Sequence, residues 1–140
     1  MIKKYLDTNV FIYPLLKEDA KAESCKKIIF KAVDKHFEGV TSILTWDEFV
    51  YTLQKFLGRK LALIEGEKFL KIPNLIFIDV TKRVVAEAHR LMKEYELKPR
   101  DAIHAATALF QNCDEIVSDD SDFEKLRNLK IVKPKNFKFD

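Results

Sequence analysis

The sequence predicts an α/β protein: a three-layer fold with a central parallel sheet of four to five strands and helices on both faces. Three observations predict it. Short apolar runs alternate with longer segments of helical periodicity, which is the pattern of strand–helix–strand units joined by right-handed crossovers. Only three Gly and four Pro occur in 140 residues, which leaves room for long helices and short loops. Acidic residues sit where the apolar runs begin or end: Asp7, Glu48, Asp101, and the group Asp119, Asp120 and Asp122. Parallel strands deliver their carboxyl ends to one edge, where α/β proteins bind ligands.

Each element follows from local pattern. Ile2–Leu6 is a short buried strand, and Val10–Leu16 continues as a short helix with a break expected at Pro14. Residues 20–37 carry Cys25, Ile28, Ile29, Ala32, Val33 and Phe37 at helical spacing, with Gly39 as the expected stop. Val40–Leu44 is the second strand. Thr45 and Glu48 match a capping box for the next helix, whose stripe is Phe49, Val50, Leu53, Phe56 and Leu57, ending at Gly58. A further helix spans Leu61–Lys71 before Pro73.

Leu75–Val80 is the third strand, β-branched and aromatic. Thr81 caps a helix with the stripe Val84, Val85, Ala88, Leu91, Met92 and Tyr95. Pro99 opens another, with Asp101 near its positive end. Ala102, Ala105, Ala106 and Ala108 keep that helix small, as close packing on a sheet requires. Glu115–Ser118 is a fourth strand, Asp122–Leu126 a helical turn, and Lys130–Val132 a last short strand.

Length and composition set bounds. One domain over residues 1–140 is the natural reading, and 47% hydrophobic content with eleven Phe supports a packed core. The charged amino terminus argues against a signal peptide, and no run reaches the eighteen or so apolar residues of a membrane helix. A soluble, cytoplasmic protein with no membrane contact is expected. Cys25 and Cys113 stand far apart with no CxxC and read as buried small hydrophobes. Walker-A and dinucleotide glycine signatures are absent. The net charge of +3 is uneven, with six basic and no acidic residues from Lys125 to Lys138. Such a surface beside an acidic pocket suits a polyanion.

The carboxylates carry the chemistry. Two unit charges about 4 Å apart repel by roughly 4 kcal/mol at an effective dielectric near 20, so a cluster of several needs a cation. For an all-oxygen site that cation is Mg²⁺ or Mn²⁺.

Four segments resemble the signature segments of PIN-domain nucleases, in the family's order and over nearly the whole chain. They are Leu6-Asp7-Thr8-Asn9-Val10-Phe11-Ile12-Tyr13, Trp46-Asp47-Glu48-Phe49, Arg100-Asp101-Ala102-Ile103-His104-Ala105-Ala106-Thr107-Ala108, and Val117-Ser118-Asp119-Asp120-Ser121-Asp122-Phe123. Within the family, the short form is most similar to the VapC toxins of toxin–antitoxin pairs. The resemblance implies a PIN-like fold and Mg²⁺- or Mn²⁺-dependent hydrolysis of RNA phosphodiesters. It also implies a cognate antitoxin that occludes the acids, and a homodimer, for which the apolar helices at Trp46–Leu57 and Leu61–Leu70 offer a face.

Carried over residue by residue, Asp7, Glu48, Asp101 and Asp120 match the family's catalytic acids. Asp7, Asp101, Asp120 and Asp122 match its metal ligands. Thr8, Asn9 and Ser118 match the polar residues that orient carboxylates or contact phosphate. Each has a structural alternative: an N-cap for Asp7, the capping box with Thr45 for Glu48, and a helix-dipole contact for Asp101. Asp119 is displaced by one position and reads as surface, and Asp47 as the solvent-facing neighbour of Glu48. His104 lies on the face of Asp101 but reads foremost as a core or rim histidine. His36 and His89 are remote from every acid.

Two other readings compete. Phosphoryl-transfer enzymes of the haloacid-dehalogenase type need Asp-x-Asp, where this chain has Asn9, and those of the response-regulator type need an early acidic pair that Ile2-Lys3-Lys4 does not offer. A non-catalytic PIN-like scaffold that binds RNA or protein would gain by losing these acids.

Overall fold

The computed structural model describes residues 1–139. In chain order the elements are β1 (Lys3–Leu6), α1 (Thr8–Leu16), α2 (Ala20–Val33), β2 (Glu38–Ser42), α3 (Leu44–Leu57), α4 (Arg59–Leu70) and β3 (Leu75–Ile78). They continue as α5 (Lys82–Glu94), α6 (Pro99–Phe110), β4 (Glu115–Val117) and β5 (Lys130–Val132), with 3₁₀ turns at Ser121–Lys125 and Pro134–Asn136. All strands run parallel, in the order β3-β2-β1-β4-β5. The chain leaves β1 toward β2 and later returns to its other side as β4. The crevice between the carboxyl ends of β1 and β4 is therefore the topological switch point.

Alternation along β1 assigns the two faces. Leu6 joins one core with Phe11, Ile28, Phe49, Leu53 and Phe69 of α1 to α4. Tyr5 points the other way and joins Val40, Val84, Leu91, Ala105, Ile116 and Phe123 beneath α5 and α6. Ala102, Ala105, Ala106 and Ala108 are all fully buried, so α6 rides close on the sheet. This is the three-layer α/β architecture that the alternation predicts.

Several local expectations are corrected. Pro14 lies inside α1 rather than at a break; seven residues into a nine-residue helix, its missing N–H forfeits one late hydrogen bond. Gly39 does not end α2. Lys35 takes the left-handed position instead (φ 61°), its N–H bonding Ala32 O while that of His36 bonds Lys31 O. Gly39 lies in β2, where a Cβ would stand 2.9 Å from that of Ala32. The capping box is also absent. Ser42 Oγ accepts from Leu44 N–H at 3.1 Å, while Thr45 sits buried inside α3 against Thr41 at 2.7 Å. On α5, Val84, Ala88 and Leu91 are buried, but Val85 and Met92 are exposed and Tyr95 closes the helix.

Candidate metal centre

The switch point gathers five acids from four places in the sequence. Asp7 follows β1, Glu48 lies in the first turns of α3, Asp101 in the first turn of α6, and Asp120 and Asp122 follow β4. Glu48, Lys98, Pro99, Arg100, Asp101 and Asp120 line an open cleft of about 590 Å³.

Asp101, Asp120 and Asp122 form the tightest group: each can offer a carboxylate oxygen, all within 4.8 Å of one another. The Asp101 Oδ2 atom is buried and has no hydrogen-bond partner, alone among the buried side-chain polar atoms of the described residues. Burial first, then the charges of Asp120 and Asp7, push the Asp101 carboxyl up from 3.8 to about 6. An orphaned buried oxygen in an all-carboxylate donor set fits a hard divalent cation. Asp120 is held in place by a turn, its Oδ1 accepting from Asp122 N–H at 2.9 Å and its own N–H donating to Ser118 Oγ at 3.0 Å.

Asp7 lies beside this group rather than within it, and is only 6% exposed. Its Oδ2 accepts from Ser118 Oγ at 2.6 Å and from Asn9 Nδ2 at 3.4 Å. Burial raises its pKa, against the opposing pull of His104 and Ser118. Asp7 does occupy the position before α1, but its side chain makes no capping bond, so the N-cap alternative is not what holds it.

Glu48 is bound from two sides: Thr8 Oγ1 donates at 2.7 Å, and His104 Nε2 lies 2.5 Å from the same oxygen. His104 is fully buried, and its Nδ1 lies 2.5 Å from Tyr5 Oη, which also accepts from Ser42 N–H at 3.1 Å. Burial opposes charge on both partners, yet their mutual contact wins. His104 is raised above its ordinary value and Glu48 is lowered, so each holds the other toward its charged form. His104 Nε2 also lies 3.8 Å from Asp7 Oδ1.

His104 is a core histidine, as the sequence reading has it, but one whose ring reaches Glu48. It does stand three residues after Asp101, but its neighbours come from β1 and α3, a juxtaposition that only the fold creates. Asp119 is likewise more than surface: it turns away from the cluster and accepts from Lys21 Nζ at 2.8 Å and Tyr13 Oη at 3.1 Å. Asp47 is exposed and stands 3.7 Å from Arg100.

The sequence profile of the PIN domain matches residues 4–129. Ribonuclease VapC2 of Methanocaldococcus jannaschii is 28% identical over 142 residues, covering 93% of both chains. Ribonuclease VapC6 of the same organism is 33% identical over 89 residues, 60% of this chain and 58% of that one. Among solved structures, the DNA-bound VapBC of Salmonella typhimurium superposes with a TM-score of 0.74 at 21% identity, covering 96% of this chain and 99% of that one.

Proposed function

This chain belongs to the PIN domain family, and on that footing we propose that it is a Mg²⁺- or Mn²⁺-dependent ribonuclease acting as the toxin of a toxin–antitoxin pair. The observation that carries the reading is the unpartnered, buried Asp101 Oδ2 facing a group of carboxylates. The similarity to two proteins named ribonuclease VapC supports the choice of RNA.

Asp101, Asp120 and Asp122 would hold the cation, with Asp7 as a fourth carboxylate. When bound, the cation offsets the mutual repulsion of the acids, activates water and neutralises charge on the scissile phosphate. The chain's own residues do the rest. Glu48 opens on the cleft and is kept ionised by His104 and Thr8, as a general base that takes a proton from the attacking water must be. His104 is a positioning residue: anchored on Tyr5, it fixes the Glu48 oxygen. Ser118 and Asn9 orient Asp7, and Ser118 also receives the Asp120 N–H. Thr8 and Ser118 thus act through carboxylates rather than on substrate. Arg100 lines the cleft, engaged only by an exposed Asp47, and is available to a phosphate.

An antitoxin is the partner suggested by VapBC assemblies, and it would act by covering this cleft. A homodimer is consistent with the exposed apolar side chains of α3 and α4, Tyr51, Phe56, Leu61 and Ile64 among them. No described helix is long and apolar enough to cross a membrane.

The test is cleavage of an end-labelled single-stranded RNA. Cutting is expected with Mg²⁺ or Mn²⁺ and none with a chelator; cutting that ignores the chelator, or RNA left intact with either metal, contradicts the proposal.

A further inference from the structure

A second cleft of about 590 Å³ lies away from the carboxylates, along the β5 edge of the sheet. It is lined by Lys4, Lys130, Lys133, Lys135 and Lys138 with only Glu115 and Glu124 as acids. That is an excess of three positive charges, equal to the net charge of the whole 140-residue chain. The remaining residues therefore balance, and the molecule's positive excess is concentrated on this strip.

Of the two acids in the cleft, Glu124 is exposed, and Glu115 is already engaged by lysines. Glu115 is buried between lysines, 3.2 Å from Lys4 Nζ and 4.0 Å from Lys130 Nζ, and Lys4 also lies over the Phe137 ring at 4.6 Å. Lys130, Lys135 and Lys138 are exposed and reach solvent. Backbone pairing connects the strip to the carboxylates. Ser118 N–H bonds Val132 O at 3.0 Å, so the chain enters the strip at Lys133 directly beside the acidic site.

We propose that this cleft binds the phosphate backbone of a single-stranded RNA whose scissile bond lies at the carboxylates, an inference that rests on the ribonuclease reading. The strip begins at the site and runs along the edge strand and the 133–138 segment, so one continuous strand can occupy both. Its lining offers charge and no exposed aromatic platform, which suits phosphates rather than base reading. An acidic protein segment would find the same charges, but nothing would place it in line with the carboxylates.

The experiment is fluorescence anisotropy with a labelled single-stranded RNA of twenty nucleotides and one of four, in an Asp101→Asn background that keeps both intact. A Lys130→Gln/Lys135→Gln/Lys138→Gln variant changes exposed side chains only. A Lys55→Gln/Lys60→Gln/Lys93→Gln variant, altered on exposed faces of α3, α4 and α5, matches its charge. Each single-strand phosphate contact contributes about 0.7 to the slope of log K against log salt. Loss of three contacts should lower that slope by about 2, and weaken binding of the long RNA on the order of 100-fold at 0.1 M salt. The charge-matched variant should bind the long RNA nearly as the parent does, and the short RNA should bind all three alike.

Equal weakening by both triple variants overturns the cleft and leaves a net-charge effect. Unchanged binding by the β5-edge variant overturns it too, while the ribonuclease reading stands. Failure of the parent to bind either RNA sinks the ribonuclease reading and this inference with it. Loss of binding to an acidic peptide, with RNA binding unchanged, assigns the cleft to a protein partner and also overturns the proposal.

Discussion

Asp101 shows how a candidate metal ligand can lower the stability of the fold that carries it. Its carboxyl is pushed up to about 6 against an ordinary 3.8, so the folded state binds its proton more tightly than the unfolded chain does. Well below pH 3.8 both states are protonated and the residue is neutral toward stability. As pH rises toward 6 and beyond, the folded state must hold an unfavourable charge, and stability falls. The difference between 3.8 and about 6 corresponds to nearly 3 kcal/mol, which partial solvent contact reduces to about 1–2 kcal/mol. Without divalent metal, Asp101→Asn should therefore melt higher than wild type at pH 7.5, and the difference should shrink steadily as pH falls to 4. Saturating Mn²⁺ should shrink this difference at pH 7.5 by stabilising the wild type more than the variant. Thermal melts at the two pH values, with and without metal, check this. An Asp101→Asn variant less stable than wild type without metal contradicts it.

At the scale of elements, the order of strands and helices was legible because periodicity changes sharply at each boundary. Lys130–Val132 and the Pro99 start of α6 stand where the pattern put them. Misplaced signals were those whose meaning depends on a distant neighbour. Gly39 resembles a helix stop, yet its reason is the approach of Ala32 across the layer. Thr45 resembles a cap, yet its hydroxyl answers Thr41 of β2. The carboxylates were legible as residues at strand ends, but their division of labour was not. Nothing in the spacing says that His104 reaches both Tyr5 and Glu48, or that Asp119 turns toward Lys21. Gly39→Ala tests the element argument. A methyl 2.9 Å from the Ala32 Cβ, in a buried strand, should lower stability by about 2–3 kcal/mol. The Ala32→Gly/Gly39→Ala double variant should recover part of the loss beyond what added flexibility in α2 removes. Equal stability of Gly39→Ala and wild type in urea denaturation would show that the layers separate without strain.

At the scale of the whole molecule, charge is sorted by region. Negative charge converges on the carboxyl ends of the strands, and the positive excess lies along the β5 edge. Parallel topology accounts for the first, since β1 and β4 end side by side and α3 and α6 begin over the same crevice. A fold of this kind holds four or more carboxylates together only with a countercharge, and His104 supplies one toward Glu48 and Asp7 but leaves Asp101 unanswered. The carboxylate cluster therefore depends on a cation. The measurement that tests it most directly is a titration of the metal-free protein with Mn²⁺, followed by paramagnetic signal of the free ion, for wild type and Asp101→Asn. At least one equivalent should bind to the wild type, with affinity falling as pH drops below about 6, and Asp101→Asn should lose ten-fold or more. Wild type that takes up no Mn²⁺, or an Asp101→Asn variant that binds it equally well, would contradict the metal centre and leave a binding scaffold in its place.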